Sequence, residues 1–241
     1  MTHIFFVIFF ITYMLFVALT FPIHYYYERK GPKDKKRGLV YKINKNLSKN
    51  IVRFSGCDLK VIGQENIPDQ AALYVSNHQS YLDIPILVHV LNQPLGFVAK
   101  KELRKVPIIG KWIYFTESVF IDRKNIRQSL RAINDASKKI QDQHSMVIFP
   151  EGTRSKSSEM SPFKPGSLKI AEKAKSYVVP VTIIDSYKLY EGNGGRIRPA
   201  KVTVVISKPL APKEKGQEKT SDNTVTVQKT IENTLQKHQT T

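Results

Sequence analysis

The chain has 241 residues, of which 38 are Lys or Arg and 20 are Asp or Glu, a formal charge of +18. With 41% hydrophobic residues and a mean hydropathy of −0.29 it can fill the core of one ordinary domain, which excludes a disordered polybasic chain, yet it is too polar for a multi-pass membrane protein. Cys57 is the only cysteine, excluding an internal disulfide and a Cys-rich zinc site, and the positive excess calls for an anionic partner such as phospholipid, nucleic acid or a phosphorylated substrate.

From Ile4 to Phe21 runs an uncharged apolar stretch of 18 residues. As a helix it measures about 27 Å against a bilayer core of about 30 Å, so it can barely span. No Lys or Arg precedes it and no small-x-small site follows, which argues against a cleaved signal peptide. His24, Tyr25, Tyr26 and Tyr27 suit the headgroup zone, and Arg29, Lys30, Lys33, Lys35, Lys36 and Arg37 come directly after them. The positive-inside rule then anchors the chain by its N-terminus in the cell membrane with the remainder on the cytoplasmic side. In the next helix Val40, Ile43, Leu47, Ile51 and Phe54 share one face, opposite Lys42, Lys45, Lys49 and Arg53. Coming right after an apolar anchor, this pattern predicts an interfacial helix with its apolar face in the acyl boundary and its ammonium groups near lipid phosphates. An ordinary core-facing helix with a solvated basic face is the other reading.

From about Asp58 short runs rich in Val, Ile, Phe and Tyr alternate with helical stretches. Strands are expected at Leu59 to Ile62, Ala72 to Ser76, Gly96 to Ala99, Ser118 to Ile121, Met146 to Phe149, Val178 to Ile183 and Val202 to Ile206. Helices are expected near Asp83 to Leu91, Asn125 to Gln141 and Ser167 to Lys175, with Ile126, Leu130, Ile133 and Ile140 on the inner face of the longest. The fold class is therefore α/β, a mixed and mainly parallel sheet flanked by helices, preceded by an apolar and amphipathic helical anchor. Three parts are expected: an anchor at 1–57, the α/β domain at 58–207, and at 208–241 a polar linker followed by a helix carrying Val227, Ile231 and Leu235.

Two loops carry the chemistry. His78 and Asp83 sit in Asn77-His78-Gln79-Ser80-Tyr81-Leu82-Asp83, directly after an apolar strand, with Pro85 requiring a helix to start close to Asp83. A tight turn there could bring the two side chains together, the carboxylate fixing one imidazole nitrogen while the other takes a hydroxyl proton. A surface His beside an Asp serving as helix cap is the commoner origin of such a pair. After the strand ending at Phe149 comes Pro150-Glu151-Gly152-Thr153-Arg154-Ser155, a tight loop in which Arg154 offers a planar fork matched to phosphate oxygens and Glu151 could hold that Arg or a substrate hydroxyl. No metal-ligand cluster and no Gly-rich phosphate loop is present, and Gly192-Asn193-Gly194-Gly195 reads as a turn.

Together the Asn-His-x4-Asp block and the Phe-Pro-Glu-Gly-Thr-Arg-Ser block resemble the signatures of the lysophosphatidic acid acyltransferase family, the 1-acyl-glycerol-3-phosphate O-acyltransferases. Phe97 to Leu103 with Pro107 and Gly110, Phe120-Ile121-Asp122-Arg123, and Val179-Pro180-Val181 are similar to further blocks of that family in the same order. One departure is Glu117-Ser118, where the family has glycine or another small residue. The resemblance implies an acyltransferase of phospholipid biosynthesis that moves an acyl group from acyl-CoA or acyl carrier protein to the sn-2 hydroxyl of 1-acyl-glycerol-3-phosphate, giving phosphatidic acid. It implies His78 and Asp83 as the catalytic pair and an acceptor site built from Lys100, Arg123, Glu151, Gly152, Thr153 and Arg154, with no cofactor beyond the acyl donor. The expected partners are membrane phospholipids, lysophosphatidic acid and the donor, and no nucleic acid. An acyltransferase for another lysolipid head group and a non-catalytic lipid-binding protein are the alternatives. Lys101, Lys105 and Lys111 either hold CoA phosphates or face solvent.

Overall fold

The computed structural model describes residues 2–212 and 220–239. Its centre is a seven-stranded sheet of β1 (Cys57–Ile62), β2 (Leu73–Ser76), β3 (Leu95–Lys100), β4 (Val119–Ile121), β5 (Ser145–Ile148), β6 (Val178–Ile184) and β7 (Ala200–Ile206), in the spatial order β1-β7-β6-β2-β5-β3-β4. Every neighbouring pair is parallel except β6 and β7, so β1 and β7 run against the other five. All seven expected strands are present because each supplies apolar side chains at the two-residue period of a pleated sheet. On β2, Tyr74 points to one face while Leu73 and Val75 point to the other; on β5, Val147 opposes Met146 and Ile148 in the same way.

Helices cover both faces. On one lie α3 (Lys33–Phe54) and α4 (Asp83–Leu91), whose Leu47, Ile51, Ile86, Leu87 and Val90 close over Tyr74, Val147, Val179 and Val181. On the other lie α6 (Ile126–Gln141), α7 (Lys169–Ala174) and α8 (Thr220–Gln239). Ala132, Ala136, Ile140, Ile170 and Ala171 pack there with Val227, Ile231 and Leu235, so α8 is a full member of the core layer. Of the stretch 208–223 expected as a linker, residues 213–219 lie outside the described residues.

The N-terminal helices correct the expectation for the amphipathic segment. Val40, Ile43, Leu47 and Ile51 are all buried, Val40 and Ile43 against Val17, Phe21 and the Trp112 and Phe115 rings of α5 (Ile109–Phe115). The apolar face of α3 therefore meets protein, not lipid, because the Tyr74 face of the sheet needs a cover and α3 supplies it. Trp112 is likewise interior, its indole N–H donating to Asn44 Oδ1 at 2.8 Å.

α1 (Thr2–Leu19) lies along this layer, and Pro22 opens α2 (Phe21–Lys30). Phe6, Phe9, Phe10, Tyr13 and Met14 pack inward, the Tyr13 hydroxyl donates to Ile43 O at 3.2 Å, and the Ile197 N–H donates to His3 Nδ1 at 3.1 Å. The opposite side leaves Ile4, Phe5, Ile8, Ile11, Leu15 and Leu19 exposed. By length and composition His3–Lys30 is the one stretch among the described residues apolar enough to cross a membrane, its most apolar 18 residues having a mean hydropathy of 2.6.

The inner face of α6 also differs from expectation. Ile126 is 78% and Leu130 45% exposed, while Ala132, Ala136, Ser137 and Ile140 face the sheet. The edge strand beside this helix, β4, has only three residues and cannot cover its first two turns.

Candidate active site

The two chemistry-bearing loops leave the same edge of the sheet, at the C-terminal ends of the paired strands β2 and β5. Asn77 extends β2 by side-chain means: its Nδ2 donates to Ile183 O and its Oδ1 accepts from Ile183 N, both at 2.8 Å. The chain then turns sharply, and α4 starts at Asp83 with Pro85 in its first turn, where proline's missing N–H costs nothing.

That turn brings the expected pair together. His78 Nδ1 lies 2.7 Å from Asp83 Oδ2, on a carboxylate with no solvent exposure. The same Oδ2 accepts the N–H groups of Gln79 at 2.7 Å and Ser80 at 2.8 Å, and Oδ1 accepts the Ser186 hydroxyl. Since Oδ2 acts only as an acceptor, Nδ1 carries the proton and Nε2 presents a lone pair. Phe149 stacks on the imidazole, ring centroids 4.0 Å apart and planes at 15°, so the ring is held from one face as well as from its edge.

Glu151 does something other than expected. It is 3% exposed, its Oε1 accepts from His78 N at 2.6 Å and its Oε2 from Ser161 N at 2.8 Å. Burial pushes its carboxyl up, against the two amides that pull it down. Each oxygen accepts a backbone amide, so Glu151 ties the two loops together, and Arg154 pairs with Glu191 instead. A second tie runs from Ser155 N to His78 O at 2.8 Å.

The cations divide into groups. Gly152 has φ of +79°, and its missing side chain lets the Arg123 guanidinium close over the loop, Nη1 donating to Gly152 O. Arg154 pairs through Nη1 with Glu191 Oε1 at 2.6 Å and stacks on Tyr81. Thr153 is exposed on the same loop. Lys100 stands apart at the end of β3, exposed and 3.8 Å from Glu102, with no described contact to Arg123 or Arg154. Lys101 pairs with Asp122 at 2.6 Å. Among the described residues no group of three or more His, Cys, Asp or Glu could hold a metal ion.

Ser186 and Glu191 escaped the sequence reading. Glu191 directly precedes the Gly-Asn-Gly-Gly turn, and its only signal was an acidic residue beside so many glycines; Ser186 follows a strand and carries no signal of its own.

The departure at Glu117 lies at the other end of the sheet. Its φ is +57°, the conformation for which glycine is the ordinary choice, and its carboxylate receives Arg37 Nε at 2.8 Å and Nη2 at 3.0 Å. It joins α3 to the strand layer.

A family model described as Acyltransferase matches residues 58–184. A 1-acyl-sn-glycerol-3-phosphate acyltransferase of Chlamydomonas reinhardtii is 37% identical over 161 residues, covering 66% of this chain and 48% of that protein. One from Saccharomyces cerevisiae is 30% identical over 167 residues, covering 68% and 55%. A probable 1-acyl-sn-glycerol-3-phosphate acyltransferase of Mycoplasma pneumoniae is 34% identical over 169 residues, covering 65% and 63%. The chain thus spans between about half and two thirds of the length of these relatives. Among solved structures, PlsC, the 1-acyl-sn-glycerophosphate (LPA) acyltransferase of Thermotoga maritima, superposes with a TM-score of 0.77 at 29% identity, over 95% of this chain and 94% of that one.

Proposed function

The chain belongs to the acyltransferase family, and from that premise we propose that it moves an acyl group from a thioester, acyl-CoA or acyl carrier protein, to the sn-2 hydroxyl of 1-acyl-glycerol-3-phosphate, giving phosphatidic acid. The observation that carries this reading is the 2.7 Å contact of His78 Nδ1 with the fully buried Asp83, which leaves Nε2 as a base beside a cation-lined loop. The names of the relatives support the choice of acceptor.

In the reaction, His78 Nε2 takes the hydroxyl proton as that oxygen attacks the thioester carbon, and Asp83 stabilises the imidazolium. The tetrahedral intermediate carries its charge on the former carbonyl oxygen. Its collapse breaks the carbon–sulfur bond, and the departing thiolate takes the proton back from Nε2. No acyl-enzyme is needed. Burial pushes the Cys57 thiol up to about 12, and the Ser80 hydroxyl oxygen is taken by the Leu82 N–H at 3.1 Å, so neither is an activated nucleophile. Arg123 and Arg154 are the cations beside the loop of Gly152 and Thr153 that suit the phosphate, whereas Lys100, expected with them, stands apart at the end of β3.

The protein works at a membrane surface. Because α1 is held along its length by the folded domain, its exposed Ile8, Ile11 and Leu15 enter one leaflet in the plane of the interface, and the basic residues after it favour the cytoplasmic leaflet. The deciding assay uses purified protein, labelled acyl-CoA and acyl carrier protein, and lysolipids with different head groups. Phosphatidic acid formed from lysophosphatidic acid is the expected product; preference for another head group redirects the reading to that acceptor, and transfer to none of them refutes it.

A further inference from the structure

The cations of the acceptor loop are not equally free. Arg154 already has an anion, Glu191 Oε1 at 2.6 Å, and its guanidinium lies 3.2 Å from the Tyr81 ring centroid. The same Glu191 oxygen takes the Tyr81 N–H at 2.9 Å, so Arg154 is braced by two residues beside the base. Lys164 is placed otherwise. A Cβ built on Gly152 would stand 2.2 Å from Arg123 Nη1 and 3.0 Å from Lys164 Nζ, so both cations cover one face of the glycine. Among the described residues neither has a carboxylate within ion-pair distance, whereas Lys101 and Arg154 each do. Two like charges held side by side repel each other, and an anion shared between them removes that cost.

The backbone fixes where this pair sits relative to the base. Lys164 N–H donates to Pro150 O at 3.1 Å, and Glu151 holds Ser161 with one oxygen and His78 with the other. One buried carboxylate thus ties the His78 backbone to the segment at Ser161 that leads into Lys164. A lysolipid with a phosphate monoester carries its hydroxyl and its phosphate a few bonds apart, so it needs a base and cations on loops joined in this way.

We propose that Lys164 and Arg123 form the site for the acceptor's phosphate, with Lys164 as a binding residue and Arg154 as the braced neighbour. This rests on the function proposed above. CoA carries phosphates as well, and the kinetics separate the two sources. With a short-chain lysophosphatidic acid in detergent, Lys164→Gln is expected to raise the acceptor KM about tenfold or more, since bonds to charged groups are among the stronger ones, while kcat and the donor KM stay within about threefold. Lys164→Arg should recover most of the loss, and Lys138→Gln on α6, an exposed lysine elsewhere, should be silent. Wild-type acceptor KM in a folded Lys164→Gln protein overturns the inference, as does a rise confined to the donor KM. A wild-type protein inactive on lysophosphatidic acid defeats the proposed function and this inference with it, whereas an active one with an indifferent Lys164 defeats this inference alone.

Discussion

Replacing Asp83 by Asn tests the base while letting the pocket keep its shape. The carboxylate Oδ2 accepts three donors, His78 Nδ1, Gln79 N and Ser80 N, at 2.7, 2.7 and 2.8 Å, and Oδ1 accepts Ser186 Oγ. An amide can set its oxygen on the three-donor side and turn its NH2 toward Ser186, whose hydroxyl then accepts. The hydrogen bonds survive and the negative charge does not. Loss of charge support for a general base costs about 10²–10⁴ in rate, and if the NH2 turns toward Nδ1 the proton is driven to Nε2, the tautomer error that costs about 10⁴ in a serine protease. We therefore expect kcat for Asp83→Asn to fall about 10³-fold, with both KM values little changed and the melting temperature within a few degrees of wild type. His78→Ala should fall at least as far. Thiol release from the acyl donor, read continuously and paired with a thermal melt, measures both quantities. A folded Asp83→Asn protein with wild-type kcat refutes the assignment of the base.

Glu117→Gln should destabilise the protein by about 2–3 kcal/mol, because it leaves Arg37 without its partner in a largely buried pair. Burial raises the Glu117 carboxyl, but Arg37, His144 and Lys139 outweigh it and hold the group at about 2 against an ordinary 4.5, so its contribution is complete above pH 4.5 and is lost as pH falls toward 2. The melting difference between the two proteins should close across that window, and a difference independent of pH would argue against the ion pair. Gly152→Ala places a methyl 2.2 Å from Arg123 Nη1 at a φ of +79°; it should displace the guanidinium and raise the acceptor KM at a stability cost of about 1 kcal/mol, measured by kinetics and melting together. Changing Ile8, Ile11 and Leu15 together to Asn should leave the fold intact and release the protein from vesicles in a flotation assay, at about 1–2 kcal/mol of lost transfer energy per side chain. Retention on vesicles by that variant would move the membrane contact elsewhere. Removing α1 and α2 altogether should instead give insoluble protein, since it uncovers Val40, Ile43, Trp112 and Phe115.

Strands were legible in the sequence because short continuous apolar runs such as those of β2 and β5 suit a sheet covered on both faces. Helix orientation was not. The stripe of Val40, Ile43, Leu47 and Ile51 is the same whether lipid or a β-sheet lies beneath it, and only the Tyr74 face, far along the chain, decides. Ile126 and Leu130 misled for the related reason that periodicity shows a face but not how far the neighbouring strand extends. At the site, His78 and Asp83 were readable because turn chemistry limits where they can go. Glu151 was readable as a residue but not as a clamp, since its partners are amides that no side-chain motif records. Ser186 reaches Asp83 across 103 positions and Glu191 reaches Arg154 across 37, distances at which a single sequence carries no pairing signal.

The position of β1 bears on how the molecule is made. This strand sits at the sheet edge beside β7, Cys57 opposite Ala200, so the partner of an early segment is among the last to be synthesised. At about 5–20 residues per second the wait is roughly 7 to 30 seconds. Throughout it the inward phenylalanines of α1 and the apolar side of α3 have no finished sheet to cover. The two ends of the described fold are thus joined last, and the N-terminal layer gains its protein partner only when β7 has been made.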